Sequence, residues 1–189
     1  MTDDRDLVAR ARQGDHAAFG ALVDRHGGAA LRTARAAVRS PQDAEDAVQD
    51  AFVLAYQKLG GFRGEASFKT WLLSIVWRQA LNQRRGQIWK RIIRGRTDED
   101  DEAILSAAAP GPTPEEATAH AALRRAIAAA IRRLSPKLRD ALLLAQTGDH
   151  TYGEMSALLG APVGTVKWRV SEARKIIRQE LQARGHDDV

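Results

Sequence analysis

Between residues 165 and 175 the chain places Thr165, Lys167, Trp168, Arg169, Glu172, Arg174 and Lys175. These types hydrogen-bond to base edges, pair with phosphates, and cover a thymine methyl or a sugar edge. At about 100° per residue, Thr165, Trp168, Glu172 and Lys175 share one helix face, flanked by Lys167, Arg174 and Arg178 on one side and Arg169 on the other. The opposite face is an apolar stripe of Val166, Val170, Ala173, Ile177 and Leu181. The bland alternative is an amphipathic hairpin whose charges only solvate it. Trp168 weighs against that, because a large aromatic among lysines and arginines adds nothing to solubility and suits contact with DNA.

The elements that hold this face read as a helix-turn-helix over residues 151–181. Met155, Leu158 and Leu159 give a first helix its apolar side, and Gly160 stands where a left-handed cap ends it. Ala161 and Pro162 break the helical path. Gly164 and Thr165 then predict the start of the second helix, with the Thr165 hydroxyl near its free N–H groups.

The chain has 189 residues with 44% hydrophobic content, which suits two small helical domains. Its 29 Lys and Arg against 24 Asp and Glu leave a formal charge of +5, which favours a polyanionic partner while leaving acidic surface for another contact. The absence of cysteine excludes disulfides, Cys-ligated zinc and thiol catalysis. His16, His26, His120, His150 and His186 are scattered without metal-binding spacing, so they read as surface or packing histidines, and neither metal nor cofactor is expected. With no long apolar run and an acidic MTDDRD start, the expectation is a cytoplasmic protein.

Residues 3–96 read as consecutive helices and a first domain. Leu7, Val8 and Ala11 make a short stripe closed by Gly14, and Asp15 caps a helix lined by Phe19, Leu22, Val23 and His26. Gly27 and Gly28 predict a loosening before a further helical stretch over 31–38. Ser40 and Pro41 start a long helix with Ala44, Val48, Ala51, Phe52, Ala55 and Leu59 inward, ended by Gly60 and Gly61. After a loop, Ser67 caps a helix with Phe68, Leu72, Ile75 and Val76 inward, which runs into a basic tail including Lys90, Arg91, Arg94 and Arg96. Residues 97–116, with an acidic run over 98–102 and Pro110, Pro112 and Pro114, read as a linker. Residues 117–183 form a second domain. Leu123, Ile127, Ile131 and Leu134 give one stripe, Ser135 and Pro136 open the next helix, and Gly148 precedes the helix-turn-helix.

Three ordered motifs carry a resemblance across nearly the whole chain: DAEDAVQDAF at 43–52, FRGE at 62–65 with FKTWL at 68–72, and PVGTVKWR at 162–169 with ARK at 173–175. The chain resembles the bacterial RNA polymerase sigma factors of the extracytoplasmic-function group, which keep only the promoter-reading domains two and four. The resemblance implies an all-α protein that binds core RNA polymerase, directs it to promoters and helps open the DNA, often under the control of an anti-sigma protein. It implies core-polymerase binding by Asp43, Asp46, Gln49, Asp50 and Val53, on an acidic face suited to a basic partner. It implies contact with the minus-10 element by Phe62, Arg63, Gly64, Lys69, Arg78, Asn82, Arg84 and Arg85, and with the minus-35 element by the 165–175 set above.

A reader of melted DNA needs a loop pocket, planar surfaces and cations. Trp71 and Trp77 are of the right type, although helical spacing from Phe68 and Ile75 makes Trp71 a core candidate. Arg78 stands where many relatives carry asparagine, and Trp168 where a small serine is commoner. In the family the linker threads polymerase channels, where an acidic segment such as that at 98–102 can occupy cationic surface meant for nucleic acid; its bland reading is a disordered, solvated spacer. Two other functions compete with this one. A helix-turn-helix regulator acting without polymerase would leave the acidic 43–50 face and the 62–85 segment without a purpose. A nuclease or recombinase would need preorganised carboxylates or an activated nucleophile, which a flexible acidic run does not supply.

Overall fold

A computed structural model describes residues 3–38, 40–93 and 114–185, with side chains over 3–38, 40–86 and 121–185. The basic-tail residues Lys90, Arg91, Arg94 and Arg96, the acidic run at 98–102, and His120 and His186 lie outside the described side chains. Among the described residues the structure is all-α: α1 (Asp4–Arg12), α2 (His16–Ala37), α3 (Pro41–Lys58), α4 (Phe68–Ile93), α5 (Pro114–Arg133), α6 (Pro136–Gln146), α7 (Tyr152–Leu159) and α8 (Val163–Gln182). A 3-10 turn, Leu59–Gly61, follows α3. Of the stretch read as a linker, residues 114–116 already belong to α5, and residues 97–113 lie outside the described residues.

Side-chain caps set the starts of α2, α3, α4 and α7. The Asp15 carboxylate accepts from the Ala18 N–H at 3.0 Å, Ser40 from the Asp43 N–H at 3.4 Å, and Ser67 from the Thr70 N–H at 3.0 Å. Each cap satisfies a donor that the first helical turn cannot, at about 1 kcal/mol. Helix α7 opens with a reciprocal box: the Glu154 N–H donates to Thr151 Oγ1 at 3.3 Å, and the Thr151 N–H to Glu154 Oε2 at 2.7 Å. It closes at Gly160, whose φ of 58° is the left-handed conformation glycine adopts without strain. The end of α5 is capped from a distance, where the Arg139 guanidinium donates to the Ile131 and Leu134 carbonyls, both at 3.1 Å.

Two expectations about helix limits are corrected. Gly27 and Gly28 do not interrupt the chain, and α2 runs unbroken from His16 to Ala37. Two glycines cost about 1 kcal/mol each in a helix, but Leu22, Ala29, Ala30 and Ala34 are all buried, and their packing outweighs that cost. Helix α8 begins at Val163 rather than at Gly164 or Thr165, with Pro162 as its extended capping residue and no side-chain cap. Proline's fixed φ suits that boundary, and Thr165 lies inside the first turn.

Helix α4 is the axis of the first four helices, packed by both α2 and α3. It therefore buries more than one stripe: Phe68, Leu72, Ile75 and Val76 as predicted, and also Leu73, Trp77 and Ala80. Trp77, read as a possible DNA-facing ring, is 1% exposed and belongs to the core. Its spacing from Leu73 and Ala80 puts all three on one inward face, against the neighbouring helices. In the last four helices, Met155, Val166 and Val170 close the helix-turn-helix, while Leu134, Leu142 and Ala173 form a smaller cluster with Ile131, Leu138 and Ile177. The main core continues across both halves, since α6 packs on α2 and α7 on α4.

Candidate nucleic-acid and polymerase interfaces

The helix-turn-helix presents the face the sequence predicts. With Val166, Val170 and Ala173 locked inward, Lys167, Trp168, Arg174 and Lys175 are exposed, and Thr165, Arg169 and Glu172 are half-buried beside them. Trp168 is 60% exposed, an unusual position for indole unless something covers it. Lys167 Nζ lies 5.7 Å above the Tyr152 ring, so the first helix of the motif steadies a cation of the second.

On α4, Arg78, Asn82 and Arg85 are exposed and follow one another at helical spacing, forming a polar stripe along the outside of the axis helix. Arg63 and Gly64 lie exposed in the preceding loop, with Gly64 at a φ of 75°. Phe62 is half-buried. It packs against Phe68 and Trp71, with ring centroids 6.0 and 5.0 Å away, so both Phe62 and Trp71 belong to an aromatic wall supporting the loop. Trp71 thus follows the core reading of its spacing.

Lys69 and Arg84 are brought elsewhere. Lys69 donates to the Asp149 carbonyl at 3.0 Å and lies 3.7 Å from its carboxylate. The Arg84 guanidinium donates to both Asp140 oxygens, at 2.7 and 3.0 Å. Arg32 grips Asp149 in the same two-pronged way, at 2.7 and 2.9 Å, and Thr70 donates to Glu154. All these contacts join the first four helices to the last four. The Arg32 hydrogen bonds hold the Asp149 carboxyl below its usual range against the opposing effect of burial. Burial acts most strongly on Glu154, pushing it up, but hydrogen bonds from Thr70 and from both the backbone and side chain of Thr151 bring it below its ordinary value. His150, whose Nε2 lies 3.0 Å from the Thr33 hydroxyl, is pushed down by burial despite the carboxylates of Glu154 and Asp149. Its Nδ1 is buried without a hydrogen-bond partner.

The outer face of α3 carries Asp46, Gln49, Asp50 and Val53, all exposed, with Asp43 half-buried at its start and Phe52 turned into the core. Val53 is 54% exposed, giving the acidic face an apolar centre. Sequence reasoning missed Tyr56, one turn further on the same face and exposed, its hydroxyl 3.0 Å from His16 Nδ1. Its spacing from Val53 was a legible signal. The seam residues Arg32, Asp140 and Asp149 were also missed, and no local pattern marks them. Among the described residues no cluster of His, Asp and Glu is arranged to hold a metal ion, and no helix is long and apolar enough to cross a membrane.

The fold and surfaces define a two-part, all-helical protein with a cation-and-tryptophan face on its helix-turn-helix and a separate acidic face on α3. Residues 22–90 match the family model for Sigma-70 region 2, and residues 124–177 that for Sigma-70, region 4. The RNA polymerase sigma-H factor of Pseudomonas aeruginosa is 31% identical over 188 residues, covering 95% of this chain and 94% of its own. The ECF RNA polymerase sigma-E factor of Escherichia coli is 32% identical over 188 residues, with the same coverage of 95% and 94%. Among solved structures, CnrH in complex with the cytosolic domain of CnrY is similar at a TM-score of 0.64 and 28% identity, over 95% of this chain and 97% of that one. The chain belongs to the sigma-70 family of RNA polymerase sigma factors, in its extracytoplasmic-function group, which is not a family of enzymes.

Proposed function

We propose that this protein is an alternative sigma factor that joins core RNA polymerase, brings it to particular promoters and assists their opening. The observation that carries the reading is the coexistence, in one chain of this family, of a cation-and-tryptophan face on α8 and an acidic face with an apolar centre on α3. Residues 3–96 form the polymerase-binding and minus-10 domain, 97–116 the linker, and 117–183 the minus-35 domain.

On α3, Asp46, Gln49 and Asp50 supply charge and amide complementarity to a basic polymerase surface, Asp43 extends it, and Val53 gives it desolvated contact. In the first domain, Arg63 and Gly64 shape the base-reading loop on the wall made by Phe62, and Arg78, Asn82 and Arg85 contact the adjoining strand, with Lys69 and Arg84 joining when they are free. On α8, Trp168 packs against thymine methyls or sugar, Thr165, Arg169 and Glu172 reach base edges, and Lys167, Arg174 and Lys175 bind phosphates.

The similar protein CnrH is in complex with the cytosolic domain of CnrY, which supports control of this chain by an anti-sigma partner that covers the same surfaces. The protein acts in the cytoplasm, needs no cofactor and catalyses no reaction of its own. The test is to mix the full chain with core polymerase freed of other sigma factors and to score initiation across a promoter library. Initiation from a defined subset, dependent on this chain, is the expected result. Duplex binding without polymerase and without initiation would replace this function with that of an ordinary helix-turn-helix regulator.

A further inference from the structure

Around the apolar core that the two halves share, the ion pairs between described residues of the seam are one-sided in polarity. Arg32, Lys69 and Arg84 come from the first four helices, while their anions Asp149 and Asp140 come from the last four. A guanidinium donating to two oxygens of one anion is also the geometry in which arginine grips a phosphate. The carboxylates are shut in, with side chains 10% and 14% exposed, whereas Arg32 keeps 55% of its side chain in solvent. Lys69 and Arg84 lie on one helix about 22 Å apart at roughly 1.5 Å per residue. That span matches several phosphates of one DNA strand.

We propose that Arg32, Lys69 and Arg84 form one phosphate-binding track for promoter DNA, and that Asp149 and Asp140 occupy it in this closed arrangement in place of phosphates. The proposal rests on the sigma-factor reading above. It adds Arg32 to the DNA-binding set and makes two carboxylates of the second domain intramolecular competitors of DNA. The three cations cannot hold these carboxylates and DNA phosphates at once, so DNA held on the track requires the halves to part. The acidic α3 face and the outer face of α8 lie away from the seam and stay exposed. Polymerase can therefore dock on the closed form, and the cost of opening falls on the step that engages the minus-10 region.

The test compares wild type with an Asp140→Asn, Asp149→Asn double variant of the full chain, without polymerase. Because the chain has no cysteine, dyes attached at Gln13→Cys and Ser171→Cys report separation of the halves. The probe is a dye-labelled duplex with a single-stranded arm of arbitrary sequence, since phosphates are the target. The expected result is wider separation, binding tightened about tenfold, and a log–log salt dependence steeper by about two. Adding Arg32→Gln should remove part of that gain and lower the salt slope by about one. Separation without tighter binding would overturn the proposal, as would a gain that Arg32→Gln leaves intact, or halves that stay together.

Should the double variant lose helicity, the reversed pair Arg84→Glu with Asp140→Arg takes its place. It should stay closed and bind DNA more weakly than wild type, and unchanged DNA binding in it would overturn the track. Wild-type initiation with core polymerase is measured alongside. A wild type that fails to initiate removes the sigma reading, while a wild type that initiates beside a double variant with no gain removes only the track.

Discussion

Arg84 on α4 and Asp140 on α6 form a two-pronged ion pair, at 2.7 and 3.0 Å, with Arg84 also donating to the Ala37 carbonyl at 3.3 Å. The pair is mostly enclosed, with side chains 27% and 14% exposed. Removing one partner should therefore cost more than breaking an exposed bridge and less than stranding a fully buried charge, about 1–3 kcal/mol. Asp140→Ala should lower the free energy of unfolding, read from a urea titration, by that amount. A double-mutant cycle with Arg84→Ala should return a coupling of about 1 kcal/mol, and zero coupling would show the pair to be incidental.

Trp168 carries little of the fold, because most of its ring faces solvent. Trp168→Ala should leave the melting temperature within a degree or two and holoenzyme assembly intact, while weakening binding to minus-35 duplex about tenfold, the loss of one good apolar base contact. Unchanged promoter affinity, measured by fluorescence anisotropy, would remove Trp168 from the reading face.

Asp46 and Asp50 stand one turn apart on the exposed side of α3, where charge reversal disturbs no packing. Asp46→Lys with Asp50→Lys should preserve helicity yet reduce affinity for core polymerase at least a hundredfold, because like charges then meet across the interface. Competition with wild type for limiting polymerase reads this directly, and equal competition would show the face to be idle.

His150 makes the seam sensitive to acid. Burial holds it below its ordinary value of 6.5, so the folded, closed protein binds fewer protons there than the opened chain. Its contribution to stability is complete above 6.5 and is lost as pH falls through the lowered folded value. Lys69 from α4 disfavours the protonated ring, while Asp149 and Glu154 favour it without reversing the sign. Those two carboxylates are themselves lowered from 3.8 and 4.5, so their own contributions vanish only in stronger acid. Urea stability should fall as the pH drops below about 6.5, and His150→Gln should flatten that slope. An identical slope in the variant would assign the acid response to other groups.

Much of the molecule is legible in its residues because the interactions that form its helices span three or four positions. Asp15, Ser40, Ser67 and the Thr151–Glu154 box cap helices within one turn of themselves, Gly160 ends α7 by its own left-handed φ, and the stripe from Val166 to Leu181 orients α8 before any neighbour is considered. The outward placing of Trp168 and of Asp46, Asp50 and Val53 follows from the same periodicity. Where tertiary packing overrides local preference, sequence reading goes astray. Gly27 and Gly28 stay helical because α2 is clamped along its buried alanines, and Trp77 turns inward because α4 is covered on more than one side.

The sequence by itself thus determined the helices, the helix-turn-helix and the two outward faces, all of which arise from contacts within a turn or two. Only the tertiary structure decided that Arg32 meets Asp149 across 117 positions and Arg84 meets Asp140 across 56. Charged side chains of that separation have many possible partners in an unfolded chain. The docking of α6 and α7 onto α2 and α4 selects these ones, through a core that extends across both halves.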